Sequence, residues 1–375
     1  MEYAIDTRCI HGEGHRNPDP NCAISYPIYQ TASFSHLTPG HNPNGFDYSR
    51  ESNPTRAYLE ETISSLENAY DTVAFASGMA AIATLFELFR PGDHIVLGED
   101  LYGGVVRMIA RISEKNGYRT EYADTTDQEA LKKHVRPGTR AVYLETPTNP
   151  MMRTTDIRAA AEIAHSAGAL LIVDNTFMTP YFQQPIALGA DIVVHSGTKY
   201  LSGHNDTVCG FLCCKDPENA ETFRLLSKTV GSTLGPFECW LCLRGLKTLA
   251  LRMERHKSNA LRVREWLMES PLVEQVYYAG SGMISFTVRD RDLALGILKN
   301  IRLITFAESL GGTESLLTYP TVQTHPDVPE EQKQRLGITD KLLRLSVGIE
   351  NPEDIVADLA RAFDAALAEN GGANG

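Results

Sequence analysis

The amino-acid sequence predicts an α/β protein in which helices sandwich a mostly parallel sheet, with an extended N-terminal arm before it and a C-terminal α+β domain after it. Strand and helix patterns alternate from residue 73 to residue 230, the pattern changes from residue 273 onward, and residues 1–60 show little periodicity and many Pro, Asn, Gly and His residues. We therefore predict an arm (1–60), an α/β domain (61–245) and an α+β domain (246–375).

The predicted arm ends in a stretch that could hold a phosphate. In Tyr48-Ser-Arg-Glu-Ser-Asn-Pro-Thr-Arg56, the phenol of Tyr48 and the guanidinium of Arg50 are two residues apart, which places them on one side of an extended backbone. Together they could clamp an anion. The alternative is a solvated turn around Asn53-Pro54.

A strand-turn-helix pattern follows the arm. Residues 73–89 predict a short strand, a turn at Ser77-Gly78 and a helix whose first turn contains small residues. The free amides at such a helix start can bind phosphate. The chain has no GxxxxGK loop and no GxGxxG after a strand, so a nucleoside triphosphate or a dinucleotide is not indicated.

Further strand-helix units complete the α/β pattern, with helices after Tyr102, Asp127 and Asp156 and another from Glu221 to Val230. The predicted strands cover residues 94–98, 119–123, 141–145, 170–176, 192–194 and 210–214. In such sheets ligands bind at the carboxyl ends of the strands, so we expect the polar residues there to converge. They are Ser77, Gly78, Tyr102, Glu145, Asn149, Asp174, Asn175, Thr176, Ser196 and Lys199.

Lys199 is the strongest candidate for a catalytic residue, because it follows a predicted buried strand closely. A buried ammonium group is rare in proteins unless it has an ion-pair partner or takes part in a reaction. The Lys199 amine could form an imine with an aldehyde, and the hydroxyls of Ser196 and Thr198 could bind a phosphate. The segment therefore indicates pyridoxal phosphate. Asp174 ends a buried strand and could pair with a protonated pyridine nitrogen. The alternatives are a lysine that reaches solvent and an aspartate satisfied by backbone amides.

The second half of the chain predicts the α+β domain. We expect a long helix over about residues 239–269 that is interrupted near Gly245, helices at 291–300 and 352–369, and strands at 283–288 and 304–307. Arg344 has apolar residues on both sides, where a buried guanidinium needs an anion such as a substrate α-carboxylate. The alternative is an alternating strand with Arg344 facing water. Glu308 follows a predicted strand and could approach a ligand.

Composition excludes several classes of function. The net charge of −12 argues against partners such as nucleic acid or an anionic membrane, and small-molecule substrates become the expectation. No apolar run is long enough to span a membrane and the N-terminus does not resemble a signal peptide, so we expect a cytoplasmic protein. The seven cysteines indicate reduced thiols, and the CxxC spacing of Cys239 and Cys242 is interpreted as structural, with no metal site.

Beyond these patterns, a series of motifs spans nearly the whole chain: YSRESNPTR, FASGMAAI, DLYGGVVR, ETPTNP, DNTFMTP, HSGTKYLSGH, AESLGG and LLRLSVGIE. The series resembles the pyridoxal-phosphate enzymes of cysteine and methionine metabolism, the cystathionine synthase and lyase group of fold type I. The resemblance implies a trans-sulfuration enzyme that binds pyridoxal phosphate and acts on amino acids. It also implies a homodimer as the active unit, usually paired into a homotetramer.

The resemblance implies roles for individual residues. Lys199 would carry the cofactor as an imine and shuttle protons, Tyr102 would stack on the cofactor ring and assist proton transfer, and Asp174 would pair with the ring nitrogen. The other cofactor-binding residues would be Ser77, Gly78, Met79, Thr176, Ser196 and Thr198, with Tyr48 and Arg50 reaching the cofactor from the neighbouring subunit. The substrate-binding residues would be Asn149, Arg107, Glu308, Ser309 and Arg344.

A few positions narrow the expected reaction. Gly104 stands where methionine γ-lyases of the family have a cysteine, whereas Arg107 and Glu308 resemble residues of enzymes that handle cystathionine. The short connection over residues 277–284 resembles that of some bacterial γ-synthases. We therefore favour a cystathionine γ-synthase, which joins an O-acylhomoserine to cysteine; some members of the group that it resembles accept sulfide as well as cysteine. The alternatives are a cystathionine γ- or β-lyase, an aminotransferase of the same fold, and a non-catalytic regulator that binds the cofactor.

Overall fold

The computed structural model describes residues 3–12, 19, 21–39, 42, 44–326 and 328–372. Parts of the predicted arm lie outside this description, as do both ends of the chain. The described part of the arm contains a helix that the sequence analysis did not assign, α1 (Ile5–His11). Its Cys9 side chain is buried in the core, and Arg8 donates hydrogen bonds to the Ser65 carbonyl at 2.6 Å and to Asn68 Oδ1 at 2.8 Å. A seven-residue helix gives too short a pattern for its periodicity to be recognised.

Seven strands of the described residues form the larger sheet. They are β1 (Asp71–Phe75), β2 (His94–Gly98), β3 (Arg119–Ala123), β4 (Thr139–Glu145), β5 (Leu170–Asp174), β6 (Ile192–Ser196) and β7 (Gly210–Cys214). Their order is β1-β7-β6-β5-β4-β2-β3, and all pairs from β6 to β3 are parallel. Only β7 is antiparallel to its neighbours β6 and β1. The predicted mostly parallel sheet is therefore confirmed.

Helices cover both faces of this sheet. They are α2 (Pro54–Glu67), α3 (Gly78–Phe86), α4 (Gly103–Asn116), α5 (Gln128–His134), α6 (Ile157–Ser166), α7 (Thr179–Phe182), α8 (Pro217–Val230) and α9 (Pro236–Leu246). Side-chain caps explain several helix starts, since Ser77, Asp127, Asp156 and Asp216 each accept a hydrogen bond from an amide of the first turn. The cap at Asp216 starts α8 before the predicted residue 221. Separate apolar cores lie on the two sides of the sheet.

The C-terminal part forms an α+β unit with its own apolar core. Its helices are α10 (Leu249–Glu269), α11 (Arg291–Asn300), α12 (Glu330–Leu336) and α13 (Pro352–Gly372), and its strands are β8 (Val273–Tyr278), β9 (Met283–Val288), β10 (Thr305–Phe306), β11 (Leu316–Thr318) and β12 (Leu342–Ser346). These strands form a second sheet in the order β10-β11-β12-β9-β8. The expected interruption of the long helix is confirmed, because α9 ends at Leu246 and α10 begins at Leu249. The exact domain bounds stay a prediction.

One predicted strand is shorter in the structure than in the sequence analysis, and the short connection noted in the sequence is present. The predicted strand 170–176 ends at Asp174, because the amide of Thr176 donates to Asp174 Oδ1 at 2.9 Å and turns the chain. The short connection near residue 280 is a tight antiparallel hairpin in which Tyr278 pairs with Ile284. The turn after Asp174 brings Thr176 to the cavity at the carboxyl end of β5.

Candidate active site

A partly open cavity of about 230 Å³ lies at the carboxyl ends of β4, β5 and β6. The starts of α3 and α4 form a second wall, and a loop after β10 together with β12 closes the cavity. Most of the predicted site residues line it: Ser77, Gly78, Met79, Tyr102, Asn149, Asp174, Thr176, Ser196, Thr198, Lys199, Glu308, Ser309 and Arg344. The convergence expected from the strand ends is therefore found in the structure.

One residue of the expected convergence lies elsewhere. Asn175 is fully buried away from the cavity, where its side-chain amide donates to Glu67 Oε1 at 3.0 Å and to the Gln183 carbonyl at 2.8 Å. The expectation was wrong for Asn175 because successive residues of an extended chain point to opposite sides. Asp174 and Thr176 face the cavity, and the residue between them faces the core.

Lys199 lines the cavity and follows β6 by three residues. Its Nζ donates to Ser309 Oγ at 3.0 Å. Burial lowers the pKa of Lys199 to about 8, with Arg344 also lowering it and Glu308 opposing the shift. Ser309 has a φ of 103°, which is costly for a residue with a side chain and is typical of functional positions. An amine with this pKa is partly neutral near physiological pH, so it can act as a nucleophile and as a base.

Arg344 is 1% exposed, so the water-facing alternative is excluded. Its guanidinium donates to Asn149 Oδ1 at 2.8 Å, to the Ser309 carbonyl at 3.1 Å and to Thr318 Oγ1 at 3.2 Å. Its buried Nε has no hydrogen-bond partner among the described residues. Burial lowers the pKa of Arg344 to about 10, although Glu308 opposes the shift. A cation that is held in place and keeps a free donor can bind a carboxylate.

Two carboxyl groups lie on the opposite wall. Burial raises the pKa of Asp174, whereas hydrogen bonds from Thr176 oppose this shift. Burial and the neighbouring Asp174 raise the pKa of Glu145 well above its usual range, and Glu145 Oε1 accepts a hydrogen bond from the Tyr102 amide at 2.8 Å. The cavity therefore has an acidic wall and a basic wall.

The start of α3 forms one end of the cavity. Ser77 Oγ caps the helix by accepting from the Ala80 amide at 3.0 Å, which leaves the earlier amides of Gly78 and Met79 at the cavity. A Cβ atom at residue 78 would lie 3.0 Å from Ser196 Cβ, so glycine permits this close approach. Together with the hydroxyls of Ser196 and Thr198, these amides make an end that can hold a phosphate.

Thr176 and Thr198 also bind neighbouring strands of the cavity. Thr176 Oγ1 accepts from the Ser196 amide at 2.9 Å, and Thr198 Oγ1 accepts from the Cys209 amide at 3.0 Å. These bonds hold β6 in position beside β5 and β7, so both residues have a structural role besides any contact with a ligand.

Tyr102 immediately precedes α4 and lines the cavity with its half-buried ring. Burial raises its pKa, and Glu308 adds to that shift. A Cβ atom at residue 104 would lie 2.5 Å from Tyr102 Cε1 and 3.1 Å from Met79 Sδ, so the glycine leaves the space that the ring occupies. The orientation of Tyr102 therefore depends on Gly104.

Three predicted residues do not line this cavity. Tyr48 is 44% exposed, and the Arg50 guanidinium lies 5.5 Å from the centre of its ring and donates to the Lys228 carbonyl. Arg107 is exposed on α4, one turn beyond Tyr102. Within a single chain, the structure does not bring these side chains together with Lys199.

The sequence analysis missed other residues of the site. Pro147, Phe177, Val208 and Thr324 also line the cavity, and Thr318 holds Arg344 from β11. Glu145 was expected at the strand ends but was given no role. The position of Glu145 at a strand end is a usable signal, whereas Thr324 lies in an irregular segment whose sequence has no periodic pattern.

The cysteine interpretation can be compared with the structure. Six of the seven free cysteines are buried, including both members of the CxxC pair, and Cys209 lies next to Cys242. In the described part of the chain, no cluster of three or more His, Cys, Asp or Glu side chains is arranged for a metal ion, and no helix is long and apolar enough to cross a membrane.

A comparison with protein-family models decides the family. The model described as Cys/Met metabolism PLP-dependent enzyme matches residues 6–364. The chain belongs to this family. It is therefore an enzyme that depends on pyridoxal phosphate (PLP), as the motifs implied.

Relatives within the PLP-dependent family include both synthases and lyases. The chain is 45% identical over 365 residues to a cystathionine gamma-synthase of Haemophilus influenzae, which covers 97% of this chain and 98% of that protein. It is 44% identical over 375 residues to a cystathionine gamma-lyase of Bacillus subtilis, with 96% and 98% covered. A solved cystathionine gamma synthase of Xanthomonas oryzae pv. oryzae, in complex with aminoacrylate and cysteine, superposes with a TM-score of 0.95 at 34% identity, with 98% and 100% covered.

The chemistry of the cavity fits the family's cofactor. A lysine with a lowered pKa can form the imine, a buried aspartate can face the pyridine nitrogen, and the crowded α3 start can take the phosphate. The unpartnered Nε of Arg344 provides a donor for a substrate carboxylate. The structure thus offers groups for the cofactor and for an amino acid in one cavity.

Proposed function

We propose that this enzyme is a cystathionine γ-synthase, which replaces the γ-substituent of an O-acylhomoserine with the sulfur of cysteine and also accepts sulfide. The observation that carries the proposal is a single cavity that is lined by a partly neutral lysine, a guanidinium with an unpartnered donor and a buried carboxylate. The similarity to a γ-synthase over the whole chain supports the same reaction.

In this proposal the cofactor is held by its two ends. Asp174 would face the ring nitrogen, Tyr102 would stack on the ring, and Lys199 would provide the covalent link. The residues that would bind the phosphate are Ser77, Gly78, Met79, Thr176, Ser196 and Thr198. When bound, pyridoxal phosphate withdraws electrons from the substrate and makes its α-proton acidic.

Lys199 then moves protons at the substrate. Its lowered pKa allows the neutral amine to take a proton from Cα and the ammonium to return one. The Ser309 hydroxyl, which accepts from Nζ, keeps the amine in place between these steps. Tyr102, which lines the same cavity, is the second proposed catalytic residue and assists this proton transfer.

Arg344 fixes the substrate through its carboxylate. Asn149, Ser309 and Thr318 occupy three of the five N–H donors of the guanidinium, which leaves two for the substrate. Because the guanidinium cannot rotate without losing these bonds, the substrate Cα is held in one position relative to Lys199.

The far end of the substrate is assigned to Glu308 and Arg107. Glu308 lines the cavity, and its negative charge adds to the rise in the pKa of Tyr102 that burial causes, so the two side chains lie near each other. Arg107 is exposed on α4, the helix that Tyr102 precedes, and its charge opposes the rise in the pKa of Tyr102 that burial causes. A carboxylate and a guanidinium there suit the amino and carboxyl groups of cysteine or of a cystathionine distal end, which also keeps a γ- or β-lyase as the second candidate.

We also propose an active homodimer, paired into a homotetramer, in a cytoplasmic enzyme of methionine biosynthesis and cysteine metabolism. Exposed Tyr48 and Arg50 outside their own cavity support a shared site, since they can serve the cavity of a neighbouring subunit. Exposed apolar side chains, including Val208 (55%) at the cavity and Val230 (64%), support a covered surface. The arm (1–60) and the domains 61–245 and 246–375 are retained as the proposed organisation.

Product analysis of the purified holoenzyme tests the reaction. One set of assays contains O-acetyl- or O-succinylhomoserine with cysteine or sulfide, and the other contains cystathionine alone. Cystathionine or homocysteine from the first set is the expected result. An oxo acid, ammonia and a thiol formed mainly in the second set would mean a lyase and would overturn the γ-synthase proposal.

A further inference from the structure

Glu145 has no function in the scheme above, yet it lies at the same depth of the site as Asp174. The two residues are direct partners in the parallel pairing of β4 with β5. Neighbouring strands are roughly 4.8 Å apart, and paired residues of parallel strands point to the same side. Both carboxyl groups line the cavity, so the site contains two adjacent buried acids.

The surroundings of the two acids differ. Burial raises the pKa of Asp174, but Asp174 accepts the Thr176 amide at 2.9 Å and has His195 in its neighbourhood, and both of these favour its charged form. Glu145 accepts only the Tyr102 amide among the groups that favour its charge, and its charged neighbours Asp174 and Asp100 are both acidic. The buried hydroxyl of Tyr143 lies near both acids, and the Tyr102 phenol lies near Glu145.

We propose that Glu145 remains a neutral carboxylic acid beside the Asp174 carboxylate and acts as a positioning residue that fixes Tyr102 over the cofactor. One negative charge matches the single positive charge of a protonated pyridine ring, and a second buried charge would be unpaired. Because the Tyr102 amide binds Oε1, the proton resides on Oε2. The inference rests on the proposed function in assigning Asp174 to the ring nitrogen and Tyr102 to the face of the cofactor ring.

Infrared spectroscopy of the holoenzyme at neutral pH in deuterated water detects the acid directly. The carbonyl band of a protonated carboxylic acid should disappear in Glu145→Gln and persist in Glu274→Gln, a control that removes an exposed carboxylate paired with Lys341. A band that survives Glu145→Gln, or that disappears only in Asp174→Asn, would overturn the proposal.

Isotope labelling tests, without a substitution, whether the protonated acid is a glutamate or an aspartate. In wild-type enzyme whose glutamate carboxyl groups carry carbon-13, the acid band should shift, whereas labelling aspartate should leave it in place. The reverse pattern would assign the proton to an aspartate and refute the proposal. This measurement remains valid if the Glu145 variants fold poorly.

Cofactor affinity tests the positioning role. Glu145→Ala should weaken the binding of pyridoxal phosphate to the apoenzyme about tenfold, because the Tyr102 amide loses its buried acceptor. Glu145→Gln should restore the affinity to within about threefold of wild type, since a neutral side-chain carbonyl replaces a neutral acid. If glutamine binds as poorly as alanine, a charge is needed and the proposal is wrong. Neither readout depends on which product the enzyme forms, so a lyase result would leave this inference intact.

Discussion

Replacing Arg344 by lysine separates carboxylate binding from the other features of the site. Lysine keeps one positive charge but lacks the planar fork that now joins Asn149, Ser309 and Thr318. A hydrogen bond to a charged group contributes about 1.5–3 kcal/mol. Loss of about 2 kcal/mol at the substrate carboxylate corresponds to a rise in KM of about 30-fold, at 1.36 kcal/mol per factor of ten.

The assay is steady-state kinetics with an O-acylhomoserine as the varied substrate and cysteine held at saturation. The visible absorbance of the cofactor should remain, because Arg344 is not assigned to cofactor binding. Arg262→Lys is the matched control, since it breaks a two-pronged pair with Glu353 on the exposed surface and should leave KM unchanged. A loaded Arg344→Lys enzyme with KM within about twofold of wild type would refute the assignment of the carboxylate site.

Three further predictions concern the cofactor. Only the neutral amine of Lys199 can attack the cofactor, and the pKa of Lys199 is lowered to about 8. The rate at which the apoenzyme attaches the cofactor covalently should therefore rise with pH and level off above about pH 8. Stopped-flow absorbance measures this rate, and a rate independent of pH would contradict the lowered pKa. Gly104→Ala should push the Tyr102 ring aside and weaken cofactor binding severalfold in a fluorescence titration, whereas unchanged binding would argue against ring stacking. Arg50→Ala should lose cofactor on dialysis, and mixing it with a Lys199→Ala chain should restore activity in hybrid dimers; verified hybrids without activity would argue against a shared site.

The sequence was informative wherever a periodic pattern fixed the direction of the side chains. Asp174 and Lys199 follow continuous apolar runs, and the parallel sheet places the ends of such runs together. Asn175 shows the limit of this reasoning, because a list of polar residues at a strand end does not tell which of them turns to the core. Its partner Glu67 lies far away in the sequence, on α2.

The other half of the site could not be derived from local patterns. The apolar neighbours of Arg344 in the sequence are compatible with a strand that turns this side chain to water and with one that buries it. Only the pairing of β12 between β9 and β11 decides that Arg344 is buried. The hydrogen bond from Arg344 to Asn149 connects the two sheets, and these two residues are 195 positions apart in the chain. Contacts of this kind depend on the packing of separate units, which the sequence periodicity of either unit does not contain.

The most direct test of the account is to reduce the cofactor linkage of the holoenzyme with borohydride and to locate the modified peptide by mass spectrometry. The account predicts a pyridoxyl group on Lys199 alone, and its absence from Lys199→Ala enzyme treated in the same way. A label on any other lysine of the wild-type enzyme would contradict the assignment of this cavity as the active site.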